Sequence, residues 1–133
     1  MAKVTLANFD KELEKILKDY QDDVIKNMDK ITKDMGKKGS QLLRNESLNA
    51  YPKGQGQSTG KYAKNWTVKF ERSRLYSTSI IHNREPGLPH LLEHGHAIVQ
   101  GGRTVGHYAG REHIAPVEQK LIEAYEREVI NKI

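Results

Sequence analysis

LANFDKELEKILKDYQDDVIKNMDKITKDM, residues 6–35, is the stretch that decides the fold class. Its apolar residues Leu6, Phe9, Leu13, Ile16, Tyr20, Val24, Met28, Ile31 and Met35 recur every three or four positions, the period of one face of an α-helix. Lysines and carboxylates fill the intervening positions, so the opposite face is wet. Asn8 stands where an N-cap belongs, with Asp10 and Glu12 in the first turn, where negative charge suits the helix dipole. Gly36 and Gly39 mark a place where the helix can kink, and Leu42 and Leu43 carry the pattern on to Leu48. Residues 1–48 therefore read as one long helix with a kink near 36–39. A helix of about 40 residues far exceeds the three turns usual in a small domain. Its outer part is expected to pack on a partner or to bend at the glycines.

Working outward, residues 49–60 form a Gly-rich polar loop with almost nothing to bury, of a length that is functional or mobile in most domains. The next 50 or so residues, 61–112, read as the sheet region. Trp66, Val68 and Phe70 alternate with Thr67, Lys69 and Glu71, the pattern of a half-buried strand, and Leu75 to His82 reads as its hairpin partner across Ser73-Arg74. Pro89 and Gly95 bracket a short helix near 89–94. His96–Gln100 and Thr104–Ala109 are two further strands about Gly101-Gly102, a good hairpin turn. Pro116 opens a C-terminal helix over 115–131, with Val117, Leu121, Ala124, Tyr125 and Val129 on one side. The order predicts a single α+β domain, in which the long N-terminal amphipathic helix and the C-terminal helix pack on a small antiparallel sheet of three to four strands.

Composition narrows the function classes. Of 133 residues, 36% are hydrophobic and 29% charged, a thin core with surplus charge that hints at stability drawn from neighbouring subunits. No stretch has the 18 or so consecutive apolar residues of a membrane helix, and the N-terminus has no apolar signal core, so neither membrane nor export is expected. The absence of cysteine excludes disulfide scaffolds and thiolate zinc sites. The net charge of +5 is unevenly placed. Residues 36–76 alone carry nine basic side chains against Glu46 and Glu71, while the two helical ends are slightly acidic. Without any helix-turn-helix, zinc-finger or RNA-recognition signature, such a block reads as a solvated face or a contact with an acidic neighbour, ahead of direct nucleic-acid binding.

All six histidines fall between His82 and His113. His90 and His94 share a helical face, as zinc ligands of a protease helix do. That chemistry, however, needs the carboxylate beside the first histidine, whereas Glu93 adjoins the second. His82-Asn83 matches only a dipeptide of the His-Asn-His endonucleases. There is no Gly-x-Ser-x-Gly elbow, thiol nucleophile or phosphate loop. No catalytic residue, metal ligand or cofactor is assigned, and the chain is not expected to be an enzyme.

Two stretches together carry a resemblance. Ser58-Thr59-Gly60-Lys61-Tyr62-Ala63-Lys64-Asn65-Trp66-Thr67, then Leu91-Leu92-Glu93-His94-Gly95-His96-Ala97, Gly101-Gly102 and His113-Ile114-Ala115-Pro116 before a last helix, resemble in order and spacing the long-tailed bacteriophage neck family. These are tail-completion, head–tail joining and tail-component proteins. The chain departs from the family where Gly56-Gln57-Ser58 replaces the Pro-x-Asp that often precedes the Thr-Gly. The resemblance implies a non-enzymatic virion subunit, present in the host cytoplasm during assembly, that forms a homo-oligomeric ring between the head connector and the tail. Its partners would be itself, connector and tail proteins, with DNA met only as it passes the channel. The motif residues Thr59, Gly60, Tyr62, Trp66, Glu93, Gly95 and Pro116 are then structural. Gly60 and Gly95 supply positive φ or close backbone approach, Pro116 presets a helix start, and Glu93 binds a turn or an adjacent subunit. Tyr62 and Tyr108 are candidate interface anchors. Lys37, Lys38, Lys53, Lys61 and Lys64 form the candidate basic contact face, turned to an acidic surface of a neighbour, and loop 49–60 is expected to order on assembly. The rival reading is a small basic DNA-binding module or metal-dependent nuclease using the His82–His113 window.

Overall fold

The computed structural model describes residues 8–55, 58–74 and 76–132. Leu6, expected on the first helix, Leu75, expected in the second strand, and positions 56–57 of the loop lie outside the described residues. The architecture is α+β: α1 (Phe9–Ala50), α2 (Lys61–Lys64), β1 (Trp66–Arg72), β2 (Ser77–Asn83), α3 (Leu88–His94), β3 (His96–Gln100), β4 (Arg103–Tyr108) and α4 (Ala115–Lys132).

α1 runs unbroken for 42 residues, about 63 Å at 1.5 Å per residue. The helix continues through Gly36 and Gly39, and these glycines serve close packing. A Cβ on Gly36 would fall 2.7–2.8 Å from Ser79 and Val68, and one on Gly39 about 2.5 Å from Ile81 and Leu121. Both strands of the first hairpin and α4 thus approach the α1 backbone where a side chain would hold them off. Ser79 exploits that approach by donating its hydroxyl to the Thr32 carbonyl at 2.7 Å.

β1 and β2 form an antiparallel hairpin in register Trp66↔Asn83 through Arg72↔Ser77, lying on the second half of α1. Arg44 donates to the Trp66 carbonyl from Nη2 at 2.8 Å and Nε at 3.2 Å, fixing the hairpin's start to the helix. The Trp66 indole, 4% exposed, donates to the buried Ser47 hydroxyl at 2.8 Å. Around it gather Leu43 and Val117, with Leu42, Tyr62, Ile81, Ile114 and Leu121 packed on them. Trp66 is thus core, and α4 closes the cluster with Val117 and Ala124 buried on its inner side.

The four strands make two two-stranded sheets instead of one sheet of three to four strands. The division is made by α3 and by Gly95, which turn the chain away before β3 begins. Among the described residues β3 and β4 pair only with each other, about the Gly101-Gly102 turn, with a register shift between Ile98 and Val99. α1 runs two residues into the range 49–60 expected as loop, and a one-turn helix, α2, opens the region expected as sheet. The loop's described residues already bond within one chain: Gly54 N–H to the Ser58 carbonyl at 2.9 Å, and the Ser58 hydroxyl to the Tyr51 carbonyl at 3.1 Å.

Candidate functional site

Glu93 organises the centre of the motif region. It projects from α3, is buried, and turns both carboxylate oxygens to the start of α4. Oε1 accepts the N–H groups of His113 and Ile114 at 2.6 and 2.9 Å, and Oε2 accepts that of Ala115 at 2.9 Å. The first N–H groups of a helix have no internal partner and lie at the positive end of its dipole. Glu93 is therefore an N-terminal cap supplied from 20 residues away. Burial pushes its carboxyl up, and those three backbone N–H groups, with the His113 ring, outweigh burial and hold it below the ordinary carboxylate range.

His113 continues the line inward. Its ring is 1% exposed, with Nδ1 at 2.7 Å from the Arg111 carbonyl and 3.1 Å from Glu93 Oε1. Both neighbours are acceptors, so Nδ1 carries a proton; in the neutral ring Nε2 then accepts the Tyr62 hydroxyl, 2.6 Å away. Burial pushes the Tyr62 phenol far above its ordinary value, and the nearby Glu93 charge adds to that. The phenol therefore stays protonated. Tyr51 stacks edge-on to both Tyr62 and His113. Its own hydroxyl receives that of Tyr108 at 2.6 Å and donates to the Leu92 carbonyl at 2.8 Å. The Arg111 guanidinium lies over the Tyr51 ring and donates to the Ala50 carbonyl, placing a cation at the C-terminus of α1, whose last turn has no basic residue. One node thus secures the end of α1 and the start of α4.

The glycines of the motifs act differently from each other. Gly60 has φ 81° and initiates α2, while its α-carbon faces only the aliphatic part of Lys53. Gly95 has φ 84° and lies against backbone: a Cβ there would sit 2.0 Å from the Tyr108 carbonyl oxygen. Pro116 is the second residue of α4. Thr59 is exposed, and its hydroxyl accepts the Lys61 N–H at 3.4 Å.

An open cleft of about 800 Å³ lies beside the node, with Tyr51, Tyr62, Tyr108, Arg111, Lys61 and Glu85 in its walls. Lys61 pairs with Glu85 at 3.7 Å. Lys53, Lys61 and Lys64 are exposed around the loop and α2, and Lys37 and Lys38 are exposed further back along α1. The histidine window does not converge. His90 and His94 do meet on α3, ring centroids 4.9 Å apart, but Glu93 points away from them to α4, and His96 packs on Tyr108. Among the described residues no three His, Cys, Asp or Glu side chains are placed to share a metal ion. Asn83 is buried, donating to the Tyr62 carbonyl at 2.9 Å and accepting the Glu85 N–H at 3.0 Å. His113, Tyr51, Arg111 and Ser47 escaped the sequence reading as site residues. His113 stood within its motif and the histidine window, and Ser47 in the run of small residues Gly36, Gly39, Ser40 and Ser47 on the buried face of α1.

Exposed apolar side chains line two arms, and others stand apart at Tyr76, Ile122 and Ile130. Residues 9–23 of α1, about 22 Å of helix, are covered by nothing among the described residues beyond partial shielding of Glu12, and Phe9, Ile16 and Tyr20 are 51–64% exposed. The β3–β4 hairpin leaves Val99 and Val105 at 60% and 57%. Fold and site together define a small α+β protein with an internally capped core and two outward apolar arms. Protein-family models, curated proteins and solved structures give no significant match to the chain. No helix among the described residues is long and apolar enough to cross a membrane.

Proposed function

We propose that the chain is a structural subunit of a bacteriophage or prophage neck, joining head connector to tail by ring-like self-assembly, with no reaction catalysed. The observation that carries this reading is the pair of apolar arms. A lone helix of 15 residues is marginal in water, and so is a lone two-stranded hairpin. Apolar patches left open on different elements suit head-to-tail contacts, in which one patch meets a different patch on the next copy. The motif residues support the reading indirectly, since Glu93, Gly95 and Tyr62 hold α3, α4 and the hairpin's base rigid while the arms stay outside. The exposed lysines leave a basic face for acidic surfaces of neighbouring subunits, and DNA is met only in the channel.

Mass photometry and negative-stain imaging with the cognate connector test the proposal. Rings or connector-bound particles are the expected outcome. A chain that stays monomeric with both connector and tail present refutes it. Incubation with plasmid and divalent metal, with a gel shift at two salt concentrations, is expected to show neither cutting nor salt-sensitive binding.

A further inference from the structure

The two arms differ in charge, and the difference says what covers them. At 3.6 residues per turn, Phe9, Leu13, Ile16 and Tyr20 fall within one narrow stripe of α1. Glu12, Asp19 and Asp23 run along one edge of that stripe and Asp10 along the other. Lys11, Lys15 and Lys18 fall on the far side. The apolar seam therefore has an acidic rim. Two such seams laid together would bring like charges into register on both edges, which disfavours helix-to-helix pairing of copies.

The β3–β4 hairpin is the complement. From His96 to Ala109 it contains no acidic residue, and its one fully charged side chain is Arg103. Ile98, Val99 and Val105 are exposed on it, and no other element packs extensively against either strand. Among the described residues, a hydrogen bond from Tyr108 to Tyr51 fastens the hairpin at its base. The acid-rimmed seam lacks an apolar cover without negative charge, and this hairpin is such a surface.

We propose that the N-terminal arm of one copy, residues 9–23, docks on the β3–β4 hairpin of the next copy, so that each subunit gives a helix and receives one. The inference rests on the ring-forming reading in taking the neighbour to be a second copy of this chain. A contact of this kind is heterologous and repeats around a ring. It covers both marginal elements at once, and the rim charges select the pairing over the two homotypic ones.

The natural chain has no cysteine, so single introduced thiols report the contact cleanly. Equal amounts of Ile16→Cys and isotope-labelled Val99→Cys full-length proteins are mixed under mild oxidation, and the disulfide-linked dimers are weighed. Random encounter gives the mixed dimer at twice the yield of each like dimer. The proposal expects a mixed excess well beyond that ratio. Arg103→Glu in the Val99→Cys protein lowers the excess by roughly two- to fivefold, the worth of one exposed ion pair. Asp19→Lys with Asp23→Lys in the partner restores it. A random ratio overturns the docking, as does an excess of either like dimer. The two readings fail separately: particles with connector but a random disulfide ratio leave the neck reading standing without this contact. A mixed excess in a chain that never joins connector or tail keeps the contact and removes the neck.

Discussion

Replacing Glu93 by glutamine keeps the size of the side chain and removes its charge, which isolates the capping role. The native carboxylate accepts three backbone N–H groups at 2.6–2.9 Å. A hydrogen bond to a charged group contributes about 1 kcal/mol more than a neutral one. Glutamine can direct its carbonyl oxygen to His113 and Ile114, which loses about 2 kcal/mol from the two bonds. Its NH2 then faces the Ala115 N–H, donor against donor, and an unsatisfied buried donor costs a further ~1–3 kcal/mol. Water can reach Ala115, which is exposed, so the lower half of that range applies. The expected loss is about 3 kcal/mol, or roughly 10 °C in Tm for a chain of this size. Urea denaturation measures it directly. Acid supplies a second check. The native carboxyl is held below its ordinary value, so its contribution is complete above the unfolded value of about 4 and is lost as pH falls through the lower native one. Glutamine does not titrate. The gap between the two proteins is therefore full at pH 7 and narrows below about pH 4. A gap under ~0.5 kcal/mol at pH 7, the scatter of ordinary surface substitutions, would refute the capping role. So would a gap that does not narrow in acid.

Gly95→Ala sets a methyl against the Tyr108 carbonyl oxygen and forces positive φ on a residue with a Cβ. A loss above about 3 kcal/mol is expected, read as a low urea midpoint or insoluble expression. Gly60→Ala, which meets only a flexible lysine, is expected to lose about 1–2 kcal/mol. Tyr62→Phe leaves the buried His113 Nε2 without its hydrogen-bond partner and is expected to cost ~1–3 kcal/mol by the same denaturation. Amide exchange of the isolated subunit is expected to be fast over residues 9–23 and slow over 31–47, where α1 is packed. Equal protection along the whole helix would contradict the marginal stability of the outer arm.

Much of the fold was legible because it is locally encoded. The three- and four-residue spacing of α1, the alternation from Trp66 to Phe70, the Gly101-Gly102 turn and Pro116 each determine the conformation of a few neighbours. The neighbours that Gly36 and Gly39 admit were not legible, because a glycine in a helix looks alike whether it loosens the helix or admits a neighbour. The neighbours here, Ser79, Ile81 and Leu121, come from 40 to 80 residues away. The same limit hid the node: Glu93 and Tyr62 stood out within their motifs, but the partners that give them meaning, His113 and Tyr51, are set by the meeting of α1, α3 and α4.

The sequence by itself determined the element types, the α+β class, the thin core and the uneven charge, since these depend on periodicity, turn chemistry and composition. Only the tertiary structure decided that the four strands divide into two hairpins, that Glu93 caps α4 from another helix, and that the outer third of α1 and the β3–β4 hairpin find little cover among the described residues. Those outcomes depend on which surfaces meet once the chain has closed, and an apolar stripe reads the same whether its own chain covers it or leaves it for another.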